Sequence, residues 1–279
     1  MKIAFFSESG LKGKVDRNFN NMRTEYAWYS ALDADHYPIV KMPELSDNTY
    51  DVGIVIIPKE LDYFANFPLS EQLKRVSKKT AFMQEGPSWF FQSLDVWKQI
   101  WFFNVMDSTD FILCHTEIDK EYYEGLFNKP VYINPTLMIE SVLDKPLSEK
   151  QDKVIIGGNF CRWYGGFNSY MTAIHYDLPI WAPSMGRKKK QEEEIDGLNH
   201  LPYLNWKDWI YKLSEFKYAI HLNPNTIAGT FNLNCGYLGI PCIGNINQMT
   251  QKLCFPDLSV EPHDLKKAKK LVHKLKNDL

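Results

Sequence analysis

The segment with the most chemical content is a glycine-rich turn in the second half of the chain. Two glycine pairs, Gly157-Gly158 and Gly165-Gly166, flank Arg162 between an apolar run and a helical stretch. Glycines let a backbone approach a ligand closely, and the exposed N–H groups of such a turn attract anions. The Arg162 guanidinium can fork two phosphate oxygens. The pattern predicts a phosphate site that is neither a Walker loop nor the G-x-G-x-x-G signature; an ordinary tight turn with a surface arginine is the alternative.

A second informative segment runs from residue 223 to residue 245. A polar loop precedes a helix that opens at Gly229-Thr230, and Gly239-Ile240-Pro241 then leads into an apolar strand. The arrangement resembles the donor-binding half of glycosyltransferases of the GT-B fold, whose frequent motif runs Glu-x-x-Gly-x-x-x-x-Glu-x-x-x-x-Gly-x-Pro. Thr226 and Asn234 stand where that family often has its glutamates.

The resemblance implies a nucleotide-sugar site on this segment. In the family the second glutamate binds the ribose of the donor, and Asn234 could hydrogen-bond a ribose hydroxyl in its place. Gly229 and Thr230 would then lie near the donor at the start of the helix. A helix packed on a sheet, with Gly239-Ile240-Pro241 as its exit, is the alternative.

Two further segments resemble the DNA β-glucosyltransferase family of T-even phages, which modifies hydroxymethylcytosine. That family has Gly-Gly-Ser-Phe-x-Arg after a strand, and the run here is Gly157-Gly158-Asn159-Phe160-Cys161-Arg162. Its catalytic aspartate follows a strand of the first domain, and Glu85 occupies the similar position in residues 81–91. The resemblance implies that Gly157, Gly158, Asn159 and Arg162 bind the donor diphosphate and that Glu85 is the catalytic carboxylate.

Glu85 also has a chemical rationale of its own. It follows the apolar run Thr80–Met83 and precedes Gly86-Pro87 and a Trp-Phe-Phe cluster. Partial desolvation at such a place would raise the pKa of the carboxyl group and suit it to general-base work. The alternative is a carboxylate that caps the following helix.

Polar residues also follow the first strand. Arg17, Asn18 and Arg23 lie after the glycine loop of residues 7–13, at the expected carboxyl edge of the first sheet. They are candidates for contacts to the acceptor or to a phosphate, and salt-bridged surface residues are the equal alternative.

Metal and thiol chemistry are not indicated. Asp33-Ala34-Asp35 has the spacing of a metal-binding Asp-x-Asp but falls at the end of the first predicted helix, and the seven histidines are scattered. Five cysteines, an odd number without C-x-x-C spacing, fit reduced and buried thiols. We therefore predict no metal and no obligatory cofactor; the glycosyltransferase resemblance implies a UDP-sugar as co-substrate.

Strands and helices alternate twice along the chain. Short apolar runs at residues 2–6, 52–57, 80–83, 111–114 and 131–133 form a first set, and the alternation restarts at Val154 after the charged stretch 144–153. This order predicts an α/β protein of two Rossmann-like domains with a ligand cleft between their carboxyl strand ends. The predicted domains are 1–147, on the acceptor side, and 148–279, on the donor side, an organisation that the GT-B resemblance also implies.

Charge is distributed unevenly over the 279 residues, whose net charge is −2. Residues 1–150 hold 16 Lys and Arg against 22 Asp and Glu, whereas residues 151–279 hold 16 against 12. A basic second half favours an anionic ligand there, although solvated helix faces explain the lysine-rich tail equally well. No apolar run is long enough for a membrane span, and the first residues turn polar too early for a signal peptide, so a cytoplasmic location (a host cytoplasm if the gene is a phage's) is expected.

These observations together predict a glycosyltransferase that moves a sugar from a UDP-sugar to a hydroxyl group. Hydroxymethylcytosine in double-stranded phage DNA leads among the acceptors because of the resemblance, while the net charge of −2 argues against a DNA partner. A surface polysaccharide or a protein is the alternative acceptor. A non-enzymatic protein whose two lobes close on a small anion or sugar is the alternative function; the oligomeric state stays open.

Overall fold

The computed structural model describes residues 1–278 except 8–23, 58–66, 85, 146, 159, 161–163 and 184–191. The chain forms two compact units. The first comprises the described parts of residues 1–135 together with Thr226–Ala228, and the second comprises those of Thr136–Asn225 and Gly229–Leu279. The domain boundary expected between residues 147 and 148 falls inside the range of the second unit and remains a prediction of where the functional halves divide.

The first unit is built around a parallel six-stranded sheet with the strand order β2-β1-β3-β4-β5-β6. Its strands are β1 (Ile3–Ser7), β2 (Asp35–Pro38), β3 (Tyr50–Val55), β4 (Ser77–Met83), β5 (Phe111–Cys114) and β6 (Val131–Ile133). Its helices are α1 (Thr24–Ala31), α2 (Leu69–Val76), α3 (Val96–Ser108) and α4 (Glu117–Leu126). Side chains such as Phe6, Val55 and Phe82 form its core, in which α2, α3 and α4 also take part.

The second unit has the same architecture, with the strand order β12-β11-β10-β7-β8-β9 and all neighbours parallel. Its strands are β7 (Gln151–Ile156), β8 (Ile180–Ala182), β9 (Leu198–His200), β10 (Phe216–His221), β11 (Cys242–Asn245) and β12 (Ser259–Val260). Its helices are α5 (Gly166–Ala173), α6 (Trp206–Ser214), α7 (Thr230–Tyr237), α8 (Met249–Cys254) and α9 (Leu265–Asp278).

The central strands of the second unit are buried on both faces. Val154, Ile155 and Ile156 of β7 are inaccessible to solvent; Val154 and Ile156 pack into one apolar cluster and Ile155 into another. Such continuous apolar runs are typical of parallel strands that are covered by helices on either side. The predicted α/β fold with two Rossmann-like domains is confirmed. None of the described helices is long and apolar enough to cross a membrane.

Candidate functional site

The strand order of the second sheet reverses between β7 and β10. From β7 the chain first adds β8 and β9 on one side and then β10, β11 and β12 on the other. Open parallel sheets bind ligands outside the carboxyl ends of their strands at such a reversal. In this sheet the position lies at Gly157, after β7, and at Leu222 and Asn223, after β10. This edge is therefore the candidate site.

The turn after β7 packs closely against the end of β10. The Gly157 N–H donates to the carbonyl oxygen of Ile220 at 2.7 Å, and a Cβ atom on Gly157 would lie 2.5 Å from Cδ2 of His221. A Cβ atom on Gly165 would lie 2.1 Å from the carbonyl oxygen of Leu222. The contacts with β10 therefore account for these two glycines, as in the ordinary tight turn that was the alternative explanation. Their contact with a phosphate remains a prediction, as does that of Gly158, which follows with a φ of +82°.

Two helices begin at this edge, and a glycine caps each of them. Gly165 precedes α5 with a φ of +64°, and Gly229 precedes α7 with a φ of +74°, a region that favours glycine. Neither helix has a side-chain hydrogen bond at its N-cap. Since a helix N-terminus carries a partial positive charge, an anion there gains about 0.3–1 kcal/mol per helix. Each of these N-termini is therefore a candidate position for an anion such as a diphosphate.

A buried polar network lies under this edge. The Nδ1 of His221 lies 2.7 Å from Oδ1 of Asn232, and the Asn232 amide donates to Oε1 of Gln251. The Gln251 amide in turn donates to the carbonyl oxygen of Cys242 at 3.0 Å. This order of donors assigns the proton of the neutral imidazole to Nδ1. Burial lowers the pKa of His221 to about 4, although the bond to Asn232 opposes the shift.

His221 should make the protein sensitive to mild acid. Its folded pKa of about 4 lies below the ordinary value of 6.5, so the unfolded chain binds the proton first. The free energy of unfolding should hold above pH 6.5 and fall by about 3 kcal/mol as the pH drops to about 4. Urea unfolding across this range would measure the loss. His221→Gln should flatten the profile; an unchanged slope in that variant would assign the pH dependence to other groups.

Carboxamides cluster where β10 and β11 end. Gln248 donates to the backbone carbonyl of Asn223 at 3.3 Å, and the Asn245 side chain accepts from the backbone N–H of Asn247 at 3.0 Å. Nδ2 of Asn223 and Oε1 of Gln248 are buried without a partner among the described residues. These neutral groups could satisfy the hydroxyl or carbonyl groups of a ligand. Sequence reasoning missed them, because asparagines in loops also serve as ordinary turn residues.

Asn234 and Thr226, the substitutes for the family's glutamates, have different surroundings. Asn234 lies on α7, one turn after Thr230, and is only 2% exposed; its Oδ1 has no partner within the described chain. Thr226 belongs to the first unit, where its hydroxyl donates to Oδ1 of Asp119 at 2.8 Å. Asp119 is fully buried on the first turn of α4 and also accepts from the Thr116 hydroxyl. The Thr226 hydroxyl is thus already used in a hydrogen bond, whereas the Asn234 amide oxygen is available for a new one.

The carboxyl edge of the first sheet holds a second group of polar side chains. Gln84 follows β4 and is 3% exposed, and His115 follows β5 with its Nε2 3.0 Å from the Gln84 carbonyl oxygen. Asn134 follows β6 and is buried, and neither its Oδ1 nor its Nδ2 has a partner in the described part of the chain. Burial raises the pKa of the neighbouring Cys114 thiol to about 12, which excludes a thiolate nucleophile there near neutral pH.

Several predicted site residues lie outside the described residues. These are Glu85, Asn159, Arg162, Arg17, Asn18 and Arg23. Their roles remain predictions, as do those of Gly157, Gly158, Gly229, Thr230 and Asn234, whose positions are known. Asp35 of the Asp-x-Asp accepts a hydrogen bond from the Tyr50 hydroxyl at 2.9 Å, and no group of three potential metal ligands occurs among the described residues.

Comparison with solved structures identifies similar folds. The chain is similar to Anabaena HepE in complex with UDP and glucose (TM-score 0.66, 8% identity, 100% of this chain and 90% of that one). It is also similar to an α-glucosyltransferase in complex with UDP-glucose and DNA containing an abasic site (TM-score 0.62, 12% identity, 100% of this chain and 91% of that one). A third similar structure is the sucrose-phosphate synthase of Thermosynechococcus elongatus (TM-score 0.59, 12% identity, 82% of this chain and 65% of that one).

These likenesses show the GT-B fold that the sequence motifs indicated. The chain spans about two thirds of the length of the sucrose-phosphate synthase. No family model and no curated protein matches the sequence.

Proposed function

We propose that the protein is a GT-B glycosyltransferase that moves a sugar from a UDP-sugar to a hydroxyl acceptor. The observation that carries the proposal is the pair of glycine-capped helix N-termini, those of α5 and α7, at the strand-order reversal of the second sheet. A diphosphate fits this edge because its charge complements both N-termini. Solved proteins of the same fold hold UDP or UDP-glucose, which supports a uridine nucleotide as the ligand.

In the proposed reaction Glu85 accepts the proton of the acceptor hydroxyl. The acceptor oxygen forms a bond to the anomeric carbon, and the bond between that carbon and the diphosphate oxygen breaks. The electron pair of the broken bond leaves with UDP. Arg162 and the first-turn amides of α5 and α7 stabilise the negative charge that grows on the diphosphate. Direct attack predicts inversion at the anomeric carbon.

The neutral side chains at the same edge would hold the rest of the donor. Asn234 is proposed to bind a ribose hydroxyl through its unpartnered Oδ1. An amide can accept from a hydroxyl as a carboxylate does, without adding a charge next to the diphosphate. No metal is invoked in this proposal, since the leaving charge is assigned to Arg162 and the helix N-termini.

A panel of nucleotides tests the donor proposal. UDP and UDP-glucose at 100 times their Kd should stabilise the protein by about 2.7 kcal/mol, whereas an unrelated nucleotide at the same concentration should not. Release of UDP from UDP-glucose in the presence of an acceptor would separate an enzyme from a binding protein. Absence of both binding and turnover over a full panel of sugar nucleotides would refute the proposal.

Replacing Arg162 by alanine should weaken UDP binding by about 1.5–3 kcal/mol, because a charged hydrogen bond to the diphosphate is removed. This corresponds to an increase in Kd of about 12- to 160-fold, measurable by calorimetry. Lys217→Ala is a matched control in the same unit, since Lys217 is a partly exposed cation paired with Asp152. Equal UDP affinity in Arg162→Ala and Lys217→Ala would remove Arg162 from the site.

For the acceptor, we propose hydroxymethylcytosine in double-stranded DNA. Support comes from the resemblance of residues 157–162 and 81–91 to the phage enzymes and from a solved protein of this fold in complex with DNA. Labelled UDP-glucose with hydroxymethylated and with unmodified duplexes would test the proposal. Transfer only to a polysaccharide or a protein would reject DNA as the acceptor and leave the donor proposal intact.

A further inference from the structure

Helix α9 has one apolar face and one strongly basic face. Ala268 and Val272 are buried in the core of the second unit, and Leu265, Leu271 and Leu275 pack against the same core. The lysines at 266, 267, 269, 270, 274 and 276 are all exposed. At 100° per residue they occupy the sides and the centre of the arc that faces away from the apolar face.

Among the described residues, the basic face has few acidic partners. Lys266 and Lys270 are four residues apart, as are Lys270 and Lys274, and like charges at this spacing destabilise a helix. Within the described chain, Lys276 is the one lysine of α9 with an acidic partner, Asp177 at 2.6 Å. The arrangement therefore concentrates positive charge on one surface of a protein whose net charge is −2.

Several lysines elsewhere in the protein are paired with carboxylates. Lys78 and Lys79 pair with Asp51 and Asp110, and Lys217 pairs with Asp152, all at 2.9–3.0 Å. A further sign of positive potential near α9 is His175, whose pKa is lowered by burial and then by Lys269, His273 and Lys276, against the opposing effect of Asp177. Within the described chain, α9 thus carries five exposed lysines without an acidic partner on one helix.

We propose that the basic face of α9 binds the phosphate backbone of double-stranded DNA. The helix of 14 residues is about 21 Å long, which matches about six base pairs of duplex. A nucleic acid fits better than a membrane, because an interfacial helix inserts an apolar face and that of α9 is already packed in the core. The inference rests on the proposed DNA acceptor for its purpose, whereas the binding itself is measurable without sugar transfer.

Neutralising three lysines tests this surface. Lys266→Gln, Lys270→Gln and Lys274→Gln combined should preserve the helix, because glutamine and lysine have similar helix propensities. Affinity for an unmodified fluorescent 20-base-pair duplex should fall by about tenfold or more. The slope of log K against log salt should decrease in magnitude by about 0.9 for each phosphate that a lysine no longer neutralises, or about 3 in total. Replacing the same lysines by arginine should retain the affinity.

The matched control is the triple variant Lys78→Gln, Lys79→Gln and Lys217→Gln, which removes three paired charges and should leave DNA affinity unchanged. Equal decreases in affinity in the control and α9 variants would mean that net charge acts rather than this surface. An α9 variant that binds the duplex normally but no longer binds phosphatidylserine vesicles would replace DNA by a membrane as the partner. UDP binding measured on the same variants separates failure of this inference from failure of the donor site.

Discussion

Replacing Glu85 by glutamine is expected to lower the rate of sugar transfer by about 10²–10⁴, the usual contribution of a general base. Glutamine keeps the size and the hydrogen bonding of the side chain but cannot take the proton of the acceptor hydroxyl. The neighbouring residues Gln84 and Gly86 lie just beyond the carboxyl end of β4, the edge at which catalytic groups of such sheets are found. Affinity for UDP should change little, because the proposed diphosphate contacts lie in the second unit.

Single-turnover transfer and UDP calorimetry on the same Glu85→Gln preparation would measure both effects. Glu44→Gln is the control, since Glu44 is an exposed carboxylate paired with Lys41 and lies on no candidate site. Retention of transfer by Glu85→Gln would eliminate the base role. A decrease in UDP affinity equal to the decrease in rate would instead assign Glu85 to donor binding.

The central strands could be predicted from sequence, but the edge strands β2 and β9 could not. The apolar runs of β3, β5 and β7 are long enough to indicate strands. By contrast, β2 is the four-residue run Asp-His-Tyr-Pro, and β9 is the three-residue run Leu-Asn-His. Both lie at the edge of a sheet, where pairing with one neighbour rather than an apolar pattern decides the conformation.

Some features of the candidate site could likewise be predicted from sequence, and others could not. Glycines that begin a helix after a strand are visible in sequence, which is why Gly229 and the Gly165-Gly166 pair could be selected. The hydrogen bond between Thr226 and Asp119 joins residues 107 positions apart, so no local pattern reveals it. The network of His221, Asn232 and Gln251 was missed for the same reason, since its members belong to three different elements of the second unit.

Replacing Gly165 by alanine is expected to reduce the free energy of unfolding by about 2–5 kcal/mol. The positive φ of +64° costs a residue with a Cβ atom about 1–2 kcal/mol. The new methyl group would also lie 2.1 Å from the carbonyl oxygen of Leu222. A backbone atom cannot relieve this clash by changing rotamer, as a flexible side chain can. Displacing it should cost a further 1–3 kcal/mol or so and shift the start of α5 away from the end of β10.

Gly239→Ala separates the two contributions. Gly239 has almost the same φ, +62°, but a Cβ atom there would have no neighbour within 4 Å, so only the conformational cost of about 1–2 kcal/mol applies. Urea unfolding of both variants measures the difference. UDP affinity should fall in Gly165→Ala and not in Gly239→Ala, because only the former moves first-turn amides that we assign to the diphosphate. Equal decreases in stability would mean that the turn relaxes freely and that β10 does not fix the position of α5.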